Sequence, residues 1–191
     1  MRRTQLRLED WAFRVSDRLR RFSIEAILTG GACVSLYSSN AYPSYDLDFV
    51  LRGHPEPGRI RKAMESLGFR LDSGRFIHPE TEYFVEILPP PPSVGEDPIR
   101  ETSVRRRGGL RLEMLTPTDC VKDRLAAFYH WQDRPSLAQA VLVARMRSVD
   151  MREIGRWSRA EGMAEPFKAF QRARRESRPA GAPKRALRRK S

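Results

Sequence analysis

The chain predicts an α+β protein: a small mixed sheet with flanking helices, then a helical region and a basic tail. Three observations lead there. Alternating, β-rich segments are confined to the first 115 residues. From Thr116 onward, apolar residues recur only at helical spacing. The last stretch then loses apolar periodicity and turns basic. The corresponding divisions are 1–115, 116–178 and 179–191.

Element by element, Leu8, Trp11, Val15, Leu19 and Phe22 recur at three or four residues and mark one face of an amphipathic helix. Ile24 to Leu28 reads as a short strand that ends at Thr29-Gly30-Gly31, and Ala32 to Tyr37 as a short helix. Leu47 to Leu51 is β-rich, the proline-containing stretch 53–58 is a loop, and Arg59 to Leu67 is helical with Gly68 after its end. Asp72-Ser73-Gly74 joins Phe69–Leu71 to Arg75–Ile77 in a hairpin. Tyr83 to Leu88 forms another strand, which Pro89 to Pro92 terminate because proline cannot donate to a ladder. Gly108-Gly109 joins Thr102–Arg107 to Leu110–Leu115. Thr116-Pro117-Thr118-Asp119 combines an N-cap residue, proline at the first helical position and an acid in the first turn, so a helix should run to about His130. Three further helices are expected from Pro135 to about Arg147, from Asp150 to Ala160 and from Pro166 to about Arg175.

Composition narrows the function. The chain has 191 residues, 40% of them apolar, enough for a sizeable core. No run approaches the length of a membrane helix, and acids follow the first residues too soon for a signal peptide. Cys33 and Cys120 stand alone, with no paired-cysteine zinc motif, which fits a reducing cytoplasm. Of the net charge of +12, residues 171–191 supply nine Lys/Arg against one Glu. Such a tail suits either a polyanion such as RNA or simple solubility.

The chemistry-bearing residues are acids on strands. Asp46 and Asp48 are two apart, so both project from one face while Leu47 and Phe49 face the other way. Two hard carboxylates on a rigid strand suit Mg²⁺. Glu86 lies in the apolar run Tyr83-Phe84-Val85-Glu86-Ile87-Leu88, where its charge needs a partner. Either a bound cation or one of the many arginines would serve. Gly30-Gly31, between a strand and a helix, lets a phosphate approach backbone N–H groups. The three histidines have no metal-ligand spacing, and Phe128, Tyr129 and Trp131 are expected to close a core.

In order, Leu28-Thr29-Gly30-Gly31, Ser44-Tyr45-Asp46-Leu47-Asp48-Phe49-Val50 and Val85-Glu86-Ile87 resemble the nucleotidyltransferase fold of the polymerase β type. Ser44, two places before the first Asp, and the run Leu115-Thr116-Pro117-Thr118-Asp119-Cys120-Val121-Lys122-Asp123-Arg124-Leu125 look like the AbiEii-type minimal nucleotidyltransferases, although Tyr42 stands where those often carry Arg. The resemblance covers residues 24–145. It implies transfer of a nucleotidyl group from an NTP to a hydroxyl, with two Mg²⁺ ions about 3.5–4 Å apart. Asp46, Asp48 and Glu86 would hold the metal. Gly30, Gly31 and Ser44 would contact the triphosphate, Lys122 would neutralise phosphate charge, and Asp133 matches a further family acid. The acceptor would be RNA, tRNA included, or a protein side chain, with a cognate toxin or antitoxin as partner. The alternative is a catalytically idle module of this fold that binds RNA or a protein.

Overall fold

A computed structural model describes residues 6–176; the basic tail of 179–191 lies outside the described residues. The first helix, α1 (Leu8–Arg21), has the expected apolar face, with Leu8, Trp11, Val15 and Leu19 buried. Strand β1 (Ala26–Leu28) leads into helix α2 (Gly30–Tyr37), then strand β2 (Asp46–Leu51) and helix α3 (Pro57–Glu65). Thus the two glycines form the first turn of α2 instead of a turn ahead of it. Strands β3 (Arg70–Asp72), β4 (Arg75–Ile77) and β5 (Phe84–Leu88) follow. The β3–β4 turn has left-handed φ at Ser73 (+47°) and Gly74 (+86°), the hairpin geometry that its Asp-Ser-Gly sequence suits.

A small ribbon, β6 (Ser93–Val94) with β7 (Asp97–Pro98), lies between β5 and the long hairpin of β8 (Thr102–Arg107) and β9 (Leu110–Leu115). Its two-residue strands are too short to leave a periodicity. Helix α4 (Pro117–Trp131) begins as expected, with the Thr116 hydroxyl accepting from the Asp119 N–H at 3.1 Å. Helices α5 (Arg134–Met146), α6 (Met151–Ala160) and α7 (Ala164–Glu176) complete the described chain. Among the described residues, no helix is long and apolar enough to cross a membrane.

The main sheet has the order β3-β4-β5-β2-β1-β9-β8. Its centre is mixed: β2 runs antiparallel to β1 and parallel to β5, and β1 runs parallel to β9. The parallel register places Asp46 opposite Phe84 and Asp48 opposite Glu86. Leu47, Phe49 and Val85, turned to the other face, have no exposed surface. The period of two therefore divides these strands into a core face and a carboxylate face. Helix α2 packs against β2, α4 and α5, so residues from both sides of position 116 share one hydrophobic cluster.

Two carboxylates tie β9 to its surroundings: Asp17 of α1 accepts from the Arg111 N–H, and Glu113 accepts from Arg52, which follows β2. Burial works to raise the Asp17 carboxyl, but hydrogen bonds from Arg20, Arg21 and the Arg111 N–H together outweigh it and hold it below its ordinary value. At Glu113, burial is likewise outweighed by hydrogen bonds from Arg52 and Thr102 and by the charges of Arg52 and Arg111. A carboxyl lowered in the folded state adds stability above its unfolded value, and that contribution is lost as pH falls toward its folded value. Asp48, described below, has the opposite slope between about pH 7 and 4 and is already protonated in the folded chain under more acid conditions. The thermal midpoint is therefore expected to fall steeply below about pH 4. A midpoint that stayed flat down to pH 2.5 would contradict this assignment.

Candidate active site

Asp46 and Asp48 sit half-buried at the start of β2, and β5 brings Glu86 alongside Asp48 on the same face. The α2 start lies directly against them. Gly30 has φ +67°, and a Cβ there would stand 2.2 Å from Asp48 Oδ2; a Cβ on Gly31 would stand 2.7 Å from Ser44 Oγ. The two glycines are needed because the carboxylates and the serine occupy the space a side chain would fill. Ser44 donates its hydroxyl hydrogen bond to Asp46 Oδ1, so its proton orients a carboxylate.

Gly30→Ala tests this close approach. Alanine would be strained at this φ and would push Asp48 aside, so a stability loss of about 2 kcal/mol is expected. If Asp48 serves the transfer proposed below, displacing it should also lower turnover on the order of 100-fold. Full activity in this variant would show that the approach is not functional.

Electrostatically the site is crowded with negative charge. Burial, then the charges of Asp46 and Glu86, push the Asp48 carboxyl up to about 7; Arg124 pulls it down and Asp123 adds to the rise. A cation placed among these acids would relieve both the burial and the repulsion. The donors are hard oxygens, the type Mg²⁺ selects, so the residues fit a divalent ion. Among the described residues, however, no three His, Cys, Asp or Glu side chains form a ready metal cage. Glu86 is instead ion-paired, its Oε1 2.9 Å from Arg75 Nε, so the arginine alternative for Glu86 is the arrangement present.

Two expected site residues stand elsewhere. Lys122 is buried, with its ammonium 3.3 Å from Asp97, 3.2 Å from Asp119 and 3.2 Å from Glu153. It faces the ribbon and α6, beside a cavity of about 580 Å³ lined by none of Asp46, Asp48 and Glu86. Where a role in neutralising phosphate charge was expected of Lys122, the structure places its ammonium among these acids. Asp133 precedes α5 and accepts from the Ser136 hydroxyl at 2.5 Å, which is the role of a helix-start residue.

A cation whose charge acts on Asp48 is Arg124, which sequence reasoning passed over. Asp123 holds it through Nε at 2.9 Å and Nη2 at 2.6 Å. The signal lay in helical spacing. Cys120 is buried on the side of α4 that packs against α2, near Cys33, and Arg124 lies one turn farther along that face. Lys122 is roughly 200° round the helix from Arg124. The aromatic cluster also differs from expectation. Tyr129 is buried against Trp157, but Trp131, last in α4, is 76% exposed.

The comparisons with known proteins bear on the fold. No family model matches the chain, and no curated protein sequence does. Among solved structures it is similar to an antigenic nucleotidyltransferase-like protein from Paracoccidioides brasiliensis, with a TM-score of 0.56 at 14% identity, covering 90% of this chain and 88% of that one. The fold is nucleotidyltransferase-like. A weaker likeness links it to the antibiotic-resistance factor ANT(2'')-Ia, whose solution structure gives a TM-score of 0.49 at 12% identity, covering 85% of this chain and 92% of that one. The mixed sheet expected from the motifs is thus present, with the Asp-Leu-Asp strand at its centre.

Proposed function

We propose that this protein is a metal-dependent nucleotidyltransferase that moves a nucleotidyl group from an NTP to a hydroxyl of an RNA, tRNA included, or of a protein. One observation carries the reading: Asp46, Asp48 and Glu86 share one sheet face against a Gly-Gly helix start that only glycine fits. Asp46 and Asp48 would hold Mg²⁺, with Glu86 as the third ligand, and the bound ions would supply charge neutralisation of the triphosphate. In the transfer, the acceptor oxygen bonds to the α-phosphorus, the bond to the bridging oxygen breaks, and pyrophosphate leaves with the electron pair. Glu86 takes the acceptor's proton. Gly30 and Gly31 leave room for the phosphates, Ser44 keeps Asp46 oriented, and Arg124 offsets the charge that builds up on the leaving group.

The motifs around Ser44 and Thr116 support an AbiEii-type relationship, and with it a cognate toxin or antitoxin partner. The excess of basic residues is compatible with an RNA acceptor but does not select RNA over protein. The Arg75–Glu86 pair favours the second reading, an idle module of the same fold that binds RNA or a protein. Incubating the protein with Mg²⁺, each radiolabelled NTP in turn, and cellular RNA or lysate protein separates the two. Label that enters RNA or protein, and is lost in the Asp46→Asn/Asp48→Asn variant, supports the enzyme and names its acceptor. No transfer with any NTP supports the idle module.

A further inference from the structure

Glu86 has a guanidinium where a metal-binding carboxylate should be free. Arg75 stands beside it on β4, its Nε 2.9 Å from Glu86 Oε1, and its guanidinium carbon sits 4.7 Å from the centre of the Phe84 ring. The ring and the carboxylate together fix where the arginine head lies. The sheet register explains the meeting. Phe76 pairs with Val85, so the neighbouring Arg75 falls alongside Glu86, which itself falls opposite Asp48. Asp72 lies opposite Arg75 on the far side. A row of charged residues, Asp72, Arg75, Glu86 and Asp48, thus crosses four strands on the carboxylate face, with Arg75 as the cation among three acids. Arg75 and Glu86 side chains are 56% and 32% exposed, so the pair meets solvent and can exchange partners.

We propose that Arg75 is a resident counter-ion for Glu86 that competes with the divalent metal for this third carboxylate. The inference rests on the metal-site reading above and deepens it by naming the residue that sets the metal requirement. With Arg75 in place, Asp46 and Asp48 are the acids open to a cation, in keeping with the absence of a ready three-acid cage among the described residues. When Glu86 turns to a metal ion, Arg75 keeps an acidic neighbour in Asp72, so its charge is not stranded. An arginine is suited to this post because it stays charged at any working pH and binds a carboxylate through a fixed fork.

The test is Mn²⁺ binding, followed by electron paramagnetic resonance on the full chain without nucleotide. Arg75→Gln should bind Mn²⁺ tighter than the wild type by about threefold or more, since a competing cation next to the site has gone. Arg75→Lys should stay near wild type. In a Glu86→Gln background, Arg75→Gln should make no difference, because the carboxylate being competed for is absent. A thermal scan of each variant checks that it is folded. Equal or weaker Mn²⁺ binding by folded Arg75→Gln overturns the proposal while leaving the metal site standing. Wild-type binding that Asp46→Asn/Asp48→Asn does not diminish overturns the metal site, and the role of Arg75 with it.

Discussion

Asp48→Asn is expected to lower nucleotidyl transfer on the order of 10³-fold or more, and to leave the thermal midpoint unchanged or higher. The two effects share one cause. Asp48 is the acid most strongly perturbed by its surroundings, crowded by Asp46 and Glu86 and partly withdrawn from water. A neutral amide of the same shape removes the repulsion and so costs the fold nothing. The same change removes the charge that would attract a metal ion. Sites that gather like charges for function commonly give up some stability. Turnover in a single-turnover assay and a thermal scan, both on the purified variant, check the two halves. Retained turnover would remove Asp48 from the mechanism. A large drop in midpoint would mean that Asp48 is a structural acid.

Lys122→Met is the complementary case, with a large effect on stability and none expected on NTP affinity. Its ammonium joins Asp97 of the ribbon, Asp119 of α4 and Glu153 of α6, and only 5% of its side chain is exposed. Methionine matches the stem of lysine but leaves three acids short of a cation. The loss should be about 2–3 kcal/mol, below the usual range for a broken buried pair, because the acids are part-exposed and Arg156 still pairs with Asp97 and Glu153. For a chain of this size that lowers the thermal midpoint by roughly 5–10 °C. An unmoved midpoint together with a collapsed turnover would return Lys122 to the catalytic machinery. The ribbon should be the first segment to lose hydrogen-exchange protection in this variant, since it then hangs on Arg156 paired with Asp97, the Trp157 indole N–H to the Val94 carbonyl at 3.1 Å and the Glu96 N–H to Glu161 at 3.0 Å.

What the amino-acid sequence determined by itself was local. The spacing of Asp46 and Asp48, the turns at Ser73-Gly74 and Gly108-Gly109, the cap at Thr116 and the apolar face of α1 are each set within one strand, turn or helix. There, periods of two or 3.6 and backbone preferences act directly. Element ends moved by one or two residues, as where Gly30 and Gly31 joined α2, because a helix end depends on what its first N–H groups meet. Tertiary structure decided the partners of the charged side chains. Glu86 could meet a metal or an arginine, and which arginine depended on β4 lying beside β5, a fact of sheet order that no local pattern carries. Lys122 and Arg124 are two residues apart and look equally suited to a phosphate. The direction each faces was settled only when α2 packed on one side of α4 and α6 with the ribbon packed on the other. Coulomb energy depends on distance in space, and in this chain the distances that matter join residues 25, 31 and 76 positions apart: Lys122 to Asp97, Lys122 to Glu153 and Asp48 to Arg124.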